Sequence, residues 1–373
     1  MESIKRSDSV KTLCFIQPDI SKGTGGLKVL NLLTKELLNE YNIHVVSLGF
    51  AGNKPAYNFD KSIKIHKLFE KDTRIREALM KHGISKLKKI YKENNIDIAV
   101  SIGASMNALL ILAAHGTNVK TVFCEHLNCL NPIACDKTQK IMQRIGAKHA
   151  NKIITLTKRD MEAYVDKYNI KKEKIDYIYN WIDDKLLESN HEYNEESKLI
   201  MSIGRIEPVK GYDNLIEAAK IIFNKHPDWE WHIYGSGNEE LVKIENAIKN
   251  LSLSSNIIIK GFTNNIYNLY KNYSIFALTS YAEGLPMVLL EAKANKLPLV
   301  SFDCLTGPNE IIEDGINGYL VKCFDNIEMA EKICKLIEDK NLRKKFSDNS
   351  YNNIKLFNKD IILKKWKDLF NSL

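Results

Sequence analysis

Short β-branched runs alternate with amphipathic stretches along the whole chain. In the first half the apolar runs are "TLCFIQ" (12–17), "HVVSLG" (44–49), "IKIHKL" (63–68), "DIAVSIG" (97–103), "TVFCEH" (121–126) and "KIITLT" (152–157). Between them lie stretches such as "GGLKVLNLLTKELLNEY" (25–41), with apolar residues at the three- and four-residue spacing of a helix. The second half repeats this grammar in "LIMSIG" (199–204), "EWHIYG" (230–235), "IIIKGF" (257–262), "IFALTS" (275–280) and "LPLVSF" (297–302). Strands separated by helices predict βαβ units and parallel sheets, an α/β chain.

The polar stretch 178–198 has no strong period and predicts a boundary, and the chain beyond 340 reads as helical throughout. The expected organisation is two Rossmann-like domains facing each other across a cleft, residues 1–182 and 183–355. A C-terminal helix, 356–373, is expected to pack its Trp366 back on the first domain. In open parallel sheets ligands bind beyond the carboxyl ends of the strands, so the residues just after each strand matter most.

Composition supports a globular protein of two domains: 373 residues, 44% hydrophobic, 27% charged, with only 8 prolines and 18 glycines. The richest apolar run, "ALLILAA" (108–114), is far short of the ~18–20 residues that span a bilayer. The N-terminus has no long apolar segment of the secretory kind, and a cytoplasmic location is expected. Seven cysteines without a C-x-x-C pair argue against a disulfide framework. Cys124, His126, Cys129 and Cys135 cluster loosely, at a spacing that fits no zinc pattern, and no metal is expected.

The net charge of +8 suits anionic partners such as nucleotides, phosphates or an anionic membrane. Much of the excess lies between Lys61 and Lys92. It reads either as a solvated helix face or, through Lys81, Lys86, Lys88, Lys89 and Lys92, as a contact with anionic lipid headgroups on the inner face of the cytoplasmic membrane.

Candidate chemistry concentrates in "YAEGLPMVLLEA" (281–292). Pro286 suits a helix start. The free N–H groups of Gly284, Leu285, Met287 and Val288, with the positive end of the helix dipole, make a seat for an anion. Glu283 precedes that helix, and Glu291 lies about 7 Å further along its axis at ~1.5 Å per residue. A sugar nucleotide would use both, Glu283 against sugar hydroxyls and Glu291 against a ribose. Upstream, a strand ends at Gly204 and is followed by Arg205 and Lys210, cations suited to a diphosphate. Taken singly, each pair also reads as ordinary helix-start acids or solvated cations.

Together these stretches resemble the retaining glycosyltransferases of family 4, which have the two-Rossmann GT-B architecture. The resemblance rests on Arg205 and Lys210, "HIYGSGNEE" (232–240), "GFTNNIYNLYKNYSIFALTSYAEGLPMVLLEA" (261–292) with its E-x₇-E pair, and "PLVSFDCLTGPNEIIEDGINGYLV" (298–321). It looks closest to the branch that builds bacterial surface glycans. It implies that Arg205 and Lys210 hold the donor diphosphate, that Glu283 approaches the transferred sugar, and that Glu291 binds the ribose. It further implies that the loop after Gly261, around Ile266, meets the base and that amides from Leu285 to Val288 cover the phosphates. "GTGGLKVLNLL" (23–33) sits where the family has a Gly-rich loop facing the donor, which implicates Gly25 and Gly26. "FCEHLN" (123–128) implies that His126 lies near the sugar.

The implied activity is transfer of a hexose or N-acetylhexosamine from a nucleotide sugar, UDP-linked, to a lipid-linked bacterial glycan. No cofactor, no metal and no nucleic acid are implied. Two other readings stand beside it. A non-catalytic nucleotide-sugar-binding subunit would keep the same residues. A nicotinamide-dependent oxidoreductase would share the Rossmann domains, but "GTGGLK" and "GSGNEE" both miss the G-x-G-x-x-G spacing.

Overall fold

The computed structural model of the chain describes residues 10–126, 128–130, 137–188 and 192–373. It divides into two compact units, Met1–Ile178 with Leu363–Leu373, and Tyr179–Ile362. The expected boundary was 182/183, with a return at 356. Residues 179–182 belong instead to the second unit. Tyr179, Trp181 and Ile182 are buried, the Ile182 amide donates to Phe357 O at 3.1 Å, and the Tyr179 ring packs on Phe357 at 5.0 Å.

The first unit is built on β1 (Thr12–Asp19), β2 (Asn42–Gly49), β3 (Lys64–Lys67), β4 (Ile98–Ile102), β5 (Lys120–Cys124), β6 (Lys152–Thr155) and β7 (Ile175–Tyr177). Their order is β3-β2-β1-β4-β5-β6-β7, with every neighbour parallel. Leu13 to Ile16 of β1 are fully buried, as a central strand covered on both faces requires. The helix after β1, Gly25–Leu37, stops short of the predicted residue 41, where a turn brings the Tyr41 amide back to Leu37 O at 3.0 Å. The 363–373 segment closes this unit: the Phe370 ring meets Tyr41 at 5.7 Å and Phe15 at 6.5 Å, edge-on, and stacks on Trp366 at 5.5 Å.

The second unit has β8 (Leu199–Ile203), β9 (Glu230–Tyr234), β10 (Ile257–Gly261), β11 (Ile275–Leu278), β12 (Leu299–Phe302) and β13 (Gly318–Val321), in the order β10-β9-β8-β11-β12-β13, again all parallel. Trp231 is fully buried in its core and satisfies its indole N–H on Ser202 Oγ at 3.0 Å. The two-domain Rossmann-like expectation therefore holds. β7 and β13 were not anticipated; each is an edge strand of three or four residues, too short to show a period.

The tail is not one helix. Helices Lys340–Asp348 and Lys359–Asn371 are separated by two 3₁₀ turns, with Asn353 at φ 59°. "DNSYNN" (348–353) explains the break, since such side chains compete for backbone partners and asparagine tolerates the left-handed region. Among the described residues no helix is long and apolar enough to cross a membrane.

Candidate active site

In the second unit the loop after β8 is fastened to the loop after β11. A 3₁₀ turn, Pro208–Lys210, ends at Gly211 with φ 65°, where a Cβ would stand 2.1 Å from Thr279 O. Only glycine fits. The Tyr281 amide then donates to Val209 O at 2.9 Å, and Thr279 Oγ1 to Lys210 O at 3.2 Å. The result is an ion pair between residues 73 apart in sequence: Lys210 Nζ lies 2.7 Å from Glu283 Oε1, and both side chains are mostly buried. Gly204 stands beside it, its missing Cβ facing Lys210 Cδ at 3.6 Å and Tyr212 Oη at 3.2 Å.

Glu283 is held from behind. Thr306 Oγ1 donates to Glu283 O at 2.8 Å, and Gly307, at φ 102°, leaves room for Gly284 O where a Cβ would be 2.6 Å away. Leu285 is buried and Pro286 is the N-cap of the helix Met287–Ala294, so the amides of Met287 and Val288 sit in its open first turn. This helix is buried on most sides, which places the Glu291 carboxylate inside the protein. There Tyr270, fully buried, donates its hydroxyl to Glu291 Oε2 at 2.9 Å. Burial first, and then the Glu291 charge, push the Tyr270 phenol well above its ordinary range, so it stays a donor.

The other predicted positions of this unit are less closely joined. Arg205 is exposed and pairs with Glu207 at 2.7 Å, so the two predicted cations belong to separate ion pairs. Gly261 ends β10 at φ 72°, and Ile266, half-buried, opens a 3₁₀ turn, Ile266–Asn268. Phe262, between them, is 72% exposed.

In the first unit Thr24 caps the helix Gly25–Leu37, its Oγ1 accepting from the Leu27 amide at 3.2 Å. A Cβ on Gly26 would be 3.6 Å from His126 Nδ1 and 3.7 Å from Ile102 Cγ2, while at Gly25 it would meet open space. The structure thus brings Gly25, Gly26 and His126 together, as one patch beyond the carboxyl ends of β1, β4 and β5. Burial lowers the imidazole to about 4, which keeps it neutral at physiological pH.

Two family models match the chain, Glycosyltransferase Family 4 over residues 24–186 and Glycosyl transferases group 1 over residues 183–353. The chain belongs to this glycosyltransferase family. AmsD of Erwinia amylovora, an amylovoran biosynthesis glycosyltransferase, is 28% identical over 94% of this chain and 97% of its own length. An α-1,4-N-acetyl-D-galactosaminyltransferase of Campylobacter jejuni, named for a diNAcBac-PP-undecaprenol substrate carrying GalNAc, is 24% identical over 96% of this chain and 97% of its own. A crystal structure of a variant of TarM from S. aureus with fondaparinux, alpha-GlcNAc-glycerol and UDP superposes with a TM-score of 0.79 at 19% identity, over 97% of this chain and all of that one. The fold is GT-B, and the oxidoreductase reading falls.

For a glycosyltransferase the flanking acids matter as much as the cations. Asp183 caps the short helix Asp184–Leu187 by accepting from the Lys185 amide at 3.1 Å, and Asp184 pairs with Lys359, so this adjacent pair is engaged in structure. Of the loose Cys/His group, Cys135 lies outside the described residues; burial raises the thiols of Cys124 and Cys129, and no metal-holding group of three ligand side chains occurs among the described residues.

Sequence reasoning missed the network behind His126. Glu125 is fully buried, and its Oε2 accepts from Gln143 Nε2 at 3.0 Å and from the Tyr164 hydroxyl. Asp160, also buried, accepts the Cys129 amide at 3.0 Å. Burial, and then the Glu125 charge, raise Asp160 to about 7. The Glu-His dipeptide was the only signal of it in the sequence.

Proposed function

We propose that the chain transfers a hexose or N-acetylhexosamine from a UDP-sugar to a lipid-linked glycan destined for a bacterial surface, in the cytoplasm, with retention of anomeric configuration and without a metal. The observation that carries this reading is the Lys210–Glu283 pair at 2.7 Å, set at the open start of the helix Met287–Ala294.

A diphosphate seated on the amides of Leu285, Met287 and Val288 lies against Lys210, and Arg205 reaches it by leaving Glu207. These groups stabilise a leaving group that gains charge as the glycosidic bond breaks. Glu283, held by Lys210, accepts sugar hydroxyls through its other oxygen rather than acting as a nucleophile. Glu291, locked by Tyr270, accepts the ribose hydroxyls, and the exposed Phe262 ring beside Gly261 and Ile266 offers the base a stacking face. The neutral His126, over Gly25 and Gly26, exchanges hydrogen bonds with the sugar. The acceptor oxygen bonds to the anomeric carbon on the face from which the phosphate departs. The bond from that carbon to the phosphate oxygen breaks, and the acceptor proton passes to the leaving phosphate. The C. jejuni relative's undecaprenol-linked substrate and the UDP bound in TarM support the choice of acceptor and carrier.

Thermal-shift titration with UDP, GDP, ADP and NAD, followed by UDP-sugar hydrolysis in excess EDTA, tests the proposal. UDP alone should stabilise the protein, and hydrolysis should persist in EDTA. Activity lost in EDTA and restored by Mg²⁺ or Mn²⁺ would overturn the metal-free site. Stabilisation by UDP with no turnover of any sugar nucleotide would leave the non-catalytic subunit.

A further inference from the structure

Strand β9, "EWHIY" (230–234), uses its two faces differently. Trp231 and Ile233 are fully buried in the core of the second unit. Glu230, His232 and Tyr234 alternate with them and so share the other face. There four side chains form one hydrogen-bonded chain. Glu230 Oε2 lies 2.7 Å from His232 Nε2, and His232 Nδ1 lies 2.8 Å from the Tyr273 hydroxyl. That hydroxyl in turn lies 2.9 Å from the Tyr234 hydroxyl.

The acid at one end fixes the direction of every proton. A carboxylate only accepts, so His232 carries its hydrogen on Nε2. Burial lowers the imidazole, with Lys260 adding to the effect and Glu230 opposing it. The ring is therefore neutral at physiological pH, and Nδ1 is an acceptor. Tyr273 then donates to Nδ1, and burial pushes its phenol up, so it keeps the proton it donates. The oxygen of Tyr273 is left to accept, which makes Tyr234 the donor to it. With its proton turned inward, the Tyr234 oxygen offers an outside partner only lone pairs. Among the described residues no second group meets it.

This end of the chain lies beside the loops of the candidate donor site. The Gly204 amide donates to Tyr234 O at 3.0 Å and the Gly235 amide to Gly261 O at 3.0 Å. A Cβ on Gly235 would stand 1.8 Å from Gly204 O. Tyr234 is half-buried there. Tyr273 follows the 3₁₀ turn Tyr270–Asn272, whose Tyr270 holds Glu291, so this turn is fastened both to Glu291 and to β9.

We propose that Tyr234 is a specificity-determining residue of the donor site, a fixed acceptor for the imide N–H of a uracil base, with its polarity imposed by Glu230 through His232 and Tyr273. The inference rests on the nucleotide-sugar reading above. Uracil has a donor at N3 where cytosine has an acceptor, so outward lone pairs favour the first and oppose the second. A tyrosine standing alone would rotate its hydroxyl to suit either base. The chain of hydrogen bonds removes that freedom.

The test is calorimetric titration of the full chain with UDP and with CDP, scored as the ratio of the two dissociation constants. The wild type should favour UDP by roughly 10- to 100-fold, the range for a polar group left unmatched. Tyr234→Phe should cut that ratio by about fivefold or more, and so should Tyr273→Phe, which frees the Tyr234 hydroxyl to rotate. Glu230→Lys puts a donor against Nε2, which reverses each bond in the chain and turns the Tyr234 proton outward. The ratio should then fall further than in Tyr234→Phe, because CDP gains where UDP loses. If circular dichroism shows that Glu230→Lys does not fold, Glu230→Gln replaces it. Its amide serves either direction, so its ratio should lie between those of the wild type and Tyr234→Phe. A cluster with only a structural role would weaken both nucleotides alike and leave the ratio unchanged, which would overturn the inference. Equal binding of UDP and CDP by the wild type would overturn it too. A wild type that binds neither nucleotide would instead remove the donor site, and this inference with it.

Discussion

The loops that leave β1 and β8 occupy the same place in the two sheets. Each comes after the strand at which strand order reverses, β1 between β2 and β4, and β8 between β9 and β11. Their chemistry is opposite. The first loop ends in Thr24, Gly25 and Gly26 beneath an imidazole that burial holds neutral; the second delivers Lys210 into an ion pair with Glu283. One frame thus presents a neutral imidazole beside glycines in one unit, with the loop's charge held apart in the Lys22–Asp72 pair, and a buried Lys–Glu pair in the other. Neutral hydroxyls need partners that both donate and accept, whereas a diphosphate needs fixed positive charge. Under the proposed function the second patch meets the leaving group through Lys210, while Glu283 beside it takes sugar hydroxyls.

The largest effect should come from the charged patch. On the proposed function Lys210→Ala removes a cation that meets the leaving diphosphate and should lower kcat by on the order of 10²–10³, as loss of one preorganised donor does elsewhere. His126→Ala should cost far less, about fivefold, because a neutral hydrogen bond nets only ~1 kcal/mol. Steady-state kinetics of the two variants decide the matter; equal losses would break the division of labour.

Next is the proposed ribose contact. Glu291→Gln should raise the donor KM roughly 10- to 100-fold, the range of a hydrogen bond to a charged group, and more than it lowers kcat. Tyr270→Phe, which frees Glu291 without removing it, should move KM the same way by about fivefold. An unchanged KM in folded Glu291→Gln would remove this residue from the donor site.

The same contrast separates the legible parts of the site from the illegible ones. Lys210, Glu283 and Glu291 lie in loops after strands or in the helix that follows, and it was the resemblance to a known family that implied their shared site. Tyr270 and the Glu125–Tyr164 contact were not legible, because they join residues 21 and 39 apart through packing that no local period encodes. Charge density leaves its own question open for a related reason. The stretch 61–92 is conspicuous in sequence, but whether a lysine is spent on a glutamate or on a backbone oxygen is decided by neighbours such as Leu68 and His115. β7 and β13 are too short to carry a period, and Arg205, read together with Lys210, turned out to pair with Glu207.

A smaller effect concerns pH. His126 is neutral down to about 4, so the rate between pH 5 and 8 should carry no limb near 6.5 from this residue. His126→Gln should then lower the rate at every pH by a similar factor. A wild-type limb near 6.5 that vanishes in the variant would show a charged imidazole and undo the contrast with Lys210.

The smallest effect on turnover belongs to Asp160, whose influence is on stability. Its folded-state value, about 7, lies above the 3.8 of an ordinary aspartate, because burial and then the Glu125 charge disfavour its ionised form. Between pH 4 and 7 the folded chain therefore holds a proton that the unfolded chain has released, so this group's contribution is complete below about pH 4 and is lost as pH rises through 7. His126 and His44, both lowered to about 4 by burial, act in the opposite direction in the same window, since the unfolded chain binds their protons first. The raw pH dependence of Tm mixes these signs, but the difference between two proteins that share the histidines does not. Asp160→Asn keeps an oxygen for the Cys129 amide and has nothing to ionise. The Tm of the variant minus that of the wild type should therefore climb from pH 4 to 7 and level off above it, by roughly 2–4 °C for each kcal/mol involved. A difference that is flat, or that falls with pH, would mean that Asp160 is ionised in the folded protein.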